Sequence, residues 1–216
     1  MNQPRFVAVE GPIAVGKTDL ANGLARRLRA RTVLENVAEN PFLASFYRDM
    51  RAHSFQTQIF FLLSRYKQMR EIAQADLFYE RVISDYIFAK DRIFAYLNLD
   101  DEELSLYEKI YPFFESEIML PDLVIYLQAS PEHIFERMKK RDRPYERPIS
   151  IEYTRELTEA YNRFFFHYAS TPLLVVNANA LDFSRDEEAV KDLMKQLEKP
   201  FAGTRYYVPP AAGSPS

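Results

Sequence analysis

The stretch Gly11-Pro12-Ile13-Ala14-Val15-Gly16-Lys17-Thr18 limits what this chain can fold into more than any other. It reads G-x-x-x-x-G-K-T. The apolar run Phe6-Val7-Ala8-Val9 precedes it as a buried strand, and Leu20, Leu24 and Leu28 follow at helical spacing. A strand, a glycine-bearing turn and a helix N-terminus, in that order, turn backbone N–H groups inward and add the positive end of the helix dipole. Such a loop cradles a phosphate chain. Lys17 is then placed to reach the β- and γ-phosphates of a nucleoside triphosphate, and Thr18 to hold Mg²⁺. Gly11, Ile13, Ala14, Val15 and Gly16 supply the rest of the cradle.

The chain has 216 residues, enough for one α/β domain with a core of its own. A net charge of −3 does not suggest a nucleic-acid surface. Cysteine is absent, so there is no disulfide and no thiolate metal site. No apolar run approaches the roughly 20 residues that span a bilayer, and the polar N-terminus passes straight into the first strand. The expected setting is the cytoplasm.

Strands and helices alternate along the chain. Strands are expected at Phe6–Glu10, Thr32–Leu34, Val82–Ser84, Leu123–Leu127 and Leu173–Val176. Helices are expected over Lys17–Arg29, from Asn40-Pro41 through Phe42, Phe46 and Tyr47, and over Phe55 to about Ala75. Further helices are expected at Ile87–Leu97, Asp100–Met119 with a kink or break at Pro112, Pro131–Arg141, Ile151–Ala169 and Arg185–Leu197. Arg141–Ile149, with Pro144 and Pro148, reads as a mobile loop. Residues 200–216 read as a disordered tail after a domain spanning 1–199. Strands that are apolar throughout, alternating with helices, imply a five-stranded parallel sheet covered on both faces. Ligands of such sheets bind at the carboxyl ends of the strands, which selects Glu35 and Asp85.

Glu35 ends the second strand beside the expected γ-phosphate position, where a carboxylate can take a proton from an attacking hydroxyl. Gln58 and Arg65 lie seven residues apart, on one face of a helix in which the intervening Ile59, Phe60, Phe61, Leu62 and Leu63 are all apolar. Buried polar groups need partners, so the two form either a structural pair or one wall of a pocket for a planar ligand. Arg137, Arg141 and Arg143, with Lys139 and Lys140, crowd the end of one helix and the loop after it. They suit a helix C-terminus, but with the phosphate loop upstream they read as a lid that closes on a triphosphate. The three histidines lack metal-ligand spacing.

Taken together, these residues resemble the deoxynucleoside kinases over roughly residues 4–180, and the resemblance implies a P-loop kinase fold with an arginine-rich lid at about 137–149. It further implies that Glu35 is the base for the sugar 5′-hydroxyl, with Lys17 and Arg141 as its catalytic companions. Tyr47 and Glu146 would bind the 3′-hydroxyl, Gln58 and Arg65 would read the base, and Arg137, Arg141 and Arg143 would bind phosphates. ATP and Mg²⁺ would be the donor and metal, with Thr18 and Asp85 holding the metal. Ser84-Asp85-Tyr86-Ile87 departs from the family's Glu/Asp-Arg-Ser. Asp91 supplies the later aspartate, but Tyr86 stands where arginine is usual, so Tyr86 or a lid arginine is left to cover its role. The pair Arg65 and Asp91 goes with purine or cytosine deoxynucleosides, and a purine is favoured. A homodimer through helices beside the sheet, including Tyr107–Phe114, is also implied, and neither nucleic acid nor membrane is an expected partner. A nucleoside monophosphate kinase resembling thymidylate kinase, or a non-catalytic nucleotide-binding module, are the alternatives. Leu34–Asn40 carries Glu35 and Glu39 and no basic residue, which disfavours an acceptor phosphate there.

Overall fold

The computed structural model describes residues 4–73, 80–198 and 201–209. Its strands are β1 (Phe6–Glu10), β2 (Arg31–Val33), β3 (Val82–Ser84), β4 (Leu123–Gln128), β5 (Leu173–Asn177) and β6 (Thr204–Tyr207). They form one sheet in the order β2-β3-β1-β4-β5-β6, and every pairing is parallel. The sheet therefore has six strands, not five. The sixth comes from the segment expected to be a disordered tail, where Thr204–Tyr207 pairs with Leu173–Val176. Pro210–Ser216 lie outside the described residues.

The helices are α1 (Lys17–Leu28), α2 (Leu43–Phe46), α3 (Met50–Ala73), α4 (Lys90–Asn98), α5 (Asp101–Glu115), α6 (Pro131–Arg141), α7 (Ile151–Phe166) and α8 (Glu187–Glu198). Their starts follow local chemistry. Asp100 and Glu103 form a reciprocal capping box on α5, while Ser130 and Ser150 accept from backbone N–H groups at the starts of α6 and α7. Pro112 lies inside α5 without ending it. α4 begins three residues later than the sequence suggests; the backbone N–H of Ile87, in the turn before it, donates to Glu10 Oε2 at 2.9 Å. The expected end of α3 near Ala75 lies outside the described residues.

Odd and even strand residues face opposite layers. Val7, Val9, Ile125, Leu127 and Val176 pack with Leu20, Leu24, Leu181 and Leu193 on one face. Phe6, Ala8, Tyr126 and Val175 pack with α3, α4, α5 and α7 on the other. β1 leads to α1 in the first layer, whereas β3 leads to α4 in the second. The connections part at the carboxyl ends of these neighbouring strands and open the crevice that holds the site.

Candidate active site

The loop between β1 and α1 has the backbone its sequence requires. Gly11 (φ 154°) and Gly16 (φ 105°) occupy conformations that L side chains rarely adopt. A Cβ on Gly11 would lie 2.6 Å from Leu127 O. Ala14 is also left-handed (φ 63°), a strained choice of the kind concentrated in functional loops. Lys17 Nζ donates to Gly11 O at 2.7 Å and Pro12 O at 2.9 Å, so the ammonium lies over the loop on neutral carbonyls. Burial, with Lys90 as a nearby like charge, lowers its pKa to about 8.

Beside this loop is a cavity of about 510 Å³. It is lined by Lys17, Thr18, Glu35, Tyr47, Gln58, Arg65, Asp85, Arg141, Arg143 and Glu146, which the sequence selected, and by Lys90, Asn98 and Tyr161, which it did not. Thr18 Oγ1 donates to Asp85 Oδ2 at 2.5 Å, and Asp85 Oδ1 accepts from the backbone N–H of Glu35 at 2.7 Å. One carboxylate thus ties the start of α1 to the end of β2. Oxygen donors side by side suit a hard cation, and no group of three or more metal-ligating side chains occurs among the described residues.

Glu35 is gripped from two sides. Arg65 Nε and Nη2 donate to Oε1 at 2.8 and 2.7 Å, and Lys90 Nζ donates to Oε2 at 2.9 Å. Burial alone would raise the pKa of this carboxyl, but the two cations outweigh it and hold the group far below the usual carboxylate range. Arg65 also pairs with Asp91, which takes a hydrogen bond from Tyr107 Oη at 3.0 Å. Burial raises Asp91 despite these partners. Gln58 Nε2 donates to the backbone carbonyl of Asp91 at 2.8 Å, so Gln58 and Arg65 line one wall and the fully buried Asp91 backs it. Thr57 lines the same wall, and its buried hydroxyl has no partner among the described residues.

The arginine-rich segment expected to act as a lid falls into two parts. Arg141 Nε and Nη2 pair with Glu146 at 3.2 and 2.5 Å, and Arg143 donates to Tyr145 Oη at 2.9 Å. A 3₁₀ turn at Pro144–Glu146 carries Glu146 to the cavity edge that Tyr47 also lines. Arg137 sits apart, one turn earlier on α6, and donates to the carbonyls of Val15, at 2.9 Å, and Leu181.

Neither candidate for the missing arginine comes to Glu35. Tyr86 is fully buried and donates to Gln68 at 2.7 Å, while Arg141 is engaged by Glu146. The cation that does reach Glu35, besides Arg65, is Lys90. The overlooked signal is a lysine opening a helix five residues past Asp85. Glu10, the last residue of β1, was overlooked as well. Its carboxylate accepts from Gly11 N–H at 2.9 Å and Tyr161 Oη at 3.3 Å.

Residues 7–201 match the deoxynucleoside kinase family. This chain belongs to that family. It is 38% identical to a deoxyguanosine kinase of Bacillus subtilis over 74% of this chain and 78% of the relative. A deoxyadenosine/deoxycytidine kinase of the same bacterium is 31% identical over 89% of this chain and 91% of the relative. Among solved structures, a deoxyadenosine kinase from M. mycoides with bound dATP superposes with a TM-score of 0.79 at 28% identity, covering 90% of this chain and all of that one. The kinase is therefore a phosphotransferase with the α/β fold of its relatives.

Proposed function

We propose that this kinase transfers the γ-phosphoryl group of ATP to the 5′-hydroxyl of a deoxynucleoside, with a purine deoxynucleoside preferred and deoxycytidine a second acceptor. The observation that carries this reading is an oriented carboxylate, Glu35, in one cavity with the phosphate-loop lysine and with the wall formed by Gln58 and Arg65, which Asp91 backs. The relatives' own substrates, deoxyguanosine and deoxyadenosine among them, support it.

In the reaction, the 5′-oxygen bonds to the γ-phosphorus as the bond from that phosphorus to the β–γ bridging oxygen breaks. The 5′-hydroxyl proton passes to Glu35, and ADP leaves. A carboxylate with so low a pKa is always ionised but is a weak base. That suffices where the transition state is loose and the hydroxyl needs orientation more than early deprotonation. Lys17, released from Gly11 O and Pro12 O, spans the β- and γ-phosphates. Arg141 and Arg143, in the lid at about 137–149, offset charge on the transferring group. Arg137 contacts the donor from the far side of the loop. Tyr47 and Glu146 hold the 3′-hydroxyl, and Gln58 presents its amide to the base edge. Thr18 and Asp85 would hold Mg²⁺, which neutralises phosphate charge when bound. The domain is read as residues 1–199 with the β6 strand added. The setting is cytoplasmic, where ATP and Mg²⁺ are supplied. The protein forms a homodimer through the α4, α5 and α7 side, where Tyr96, Phe113 and Phe166 are exposed, while Tyr107 and Tyr111 of the expected interface segment serve the core.

The test is ADP release from ATP and Mg²⁺ with the four deoxynucleosides, their ribose forms and the deoxynucleoside monophosphates. Strong activity with deoxyadenosine or deoxyguanosine, little with thymidine, and none after chelation of Mg²⁺ are expected. Preference for monophosphates, or ATP binding without turnover of any deoxynucleoside, would overturn the reading.

A further inference from the structure

Lys90 is in a place that local chemistry disfavours twice. It is the first residue of α4, where a cation meets the like-signed end of the helix dipole. Its side chain is only 4% exposed, and lysine is almost never buried unless paired. Its surroundings offset both penalties. Nζ lies 2.9 Å from Glu35 Oε2 and 3.9 Å from Glu10 Oε1, and 5.8 Å from the centroid of the Phe94 ring. Burial works against the ammonium, but Glu10 and Glu35 outweigh burial and the repulsion of Arg65, so the charge is kept. One cation thus joins the end of β1, the loop after β2 and the start of α4.

We propose that Lys90 is a positioning residue for Glu35, fixing the carboxylate against Arg65 so that the remaining lone pair, on Oε2, is offered to the acceptor hydroxyl. This rests on the phosphoryl-transfer reading above. Arg65 occupies Oε1 and Lys90 occupies Oε2, so rotation of the carboxylate is blocked from both sides. Lys90 acts through Glu35 and not on the triphosphate. Its charge is already met by two carboxylates, whereas Lys17 rests on carbonyls alone and is the cation free to follow a phosphate.

A double-mutant cycle separates these roles. We would measure kcat with the preferred deoxynucleoside, and the ATP dissociation constant, for the parent, Lys90→Met, Glu35→Gln, the double variant and Lys90→Arg. Lys90→Met is expected to lower kcat about 10²-fold, with ATP affinity within about threefold of the parent. In the Glu35→Gln background the same change is expected to cost less than about threefold, because the group it orients is already gone. Lys90→Arg keeps the charge and should regain about tenfold of the loss. If Lys90→Met does not fold, the cycle is run with Lys90→Arg, whose roughly tenfold loss should vanish beside Glu35→Gln. Losses that multiply, ATP affinity that falls in step with turnover, or kcat within about threefold of the parent in the single variant would overturn the proposal. A parent protein that phosphorylates no deoxynucleoside would instead overturn the reading on which it rests.

Discussion

On one face of the sheet, Leu20 and Leu24 of α1, Ile134 of α6 and Leu193 of α8 close over Val7, Val9 and Ile125. On the other, α5 and α7 bring Tyr107, Tyr111, Tyr161 and Phe165 against Phe6, Ala8 and Tyr126. Both layers exclude water, but a tyrosine carries a donor at the tip of an apolar body. Tyr107 ends on Asp91, Tyr161 on Glu10 and Tyr86 on Gln68. The aromatic layer can therefore house buried charge beside the cavity, whereas the aliphatic layer supplies cohesion and a rigid seat for the phosphate loop. Stability and catalysis should respond differently to changes on the two sides.

The largest effect should come from the aliphatic side. Leu24→Ala opens a void in a fully buried site and should cost about 3 kcal/mol, lowering Tm by roughly 6–12 °C, with kcat of the folded protein unchanged. A fall in kcat at unaltered Tm would break the contrast. On the aromatic side, Glu35→Gln should lower turnover by about 10²-fold, or about 2.7 kcal/mol on the barrier. Steady-state rates checked against circular dichroism of the folded variant decide this, and turnover near the parent value removes Glu35 from its role. Tyr107→Phe should cost about 2 kcal/mol, because it strips a donor from the buried Asp91 carboxylate. It should also narrow the preference for purine over thymine deoxynucleosides in a competition assay. An unchanged ratio would confine Tyr107 to packing.

The smallest effect has the opposite sign. Holding Lys17 charged costs the empty protein stability below pH 8, since its folded pKa, about 8, lies under its unfolded value. Between pH 8 and the unfolded pKa, the unfolded chain binds more protons, so the parent gains stability as pH rises. Lys17→Met should therefore raise Tm at pH 7 by about 2–4 °C, roughly 1 kcal/mol after allowance for solvent screening. That advantage should fade by about pH 10.5. A constant difference across this range would deny the lysine its low pKa.

Much of this was legible in the sequence. β1, β3, β4 and β5 are short apolar runs bounded by turn residues, and each lies within a residue of its expected place. β6 was not legible, because Thr204-Arg205-Tyr206-Tyr207 is a half-exposed edge strand between a glycine and prolines, with composition nearer to loop than to core. Glu35, Gln58 and Arg65 were found from strand ends and helical spacing, and the structure brings them to one cavity. The contact between Lys90 and Glu35 joins residues 55 apart through two loops, which no local periodicity encodes. Only the sign of a charge at a helix start hinted at it. Arg137 and Arg141 are one turn apart, yet Arg137 holds Val15 and Leu181 while Arg141 holds Glu146, a division set by tertiary contacts.

The strand at Thr204–Tyr207 has a consequence for handling the protein. Leu173–Val176 is an apolar run of high β-propensity, and its outer row of N–H and C=O groups is covered only by β6 among the described residues. Bared, such an edge is a template on which further chains add strands. A truncation just before Thr204 leaves the cavity and the phosphate loop untouched and uncovers that template, so the shortened protein is expected to precipitate while it still binds ATP.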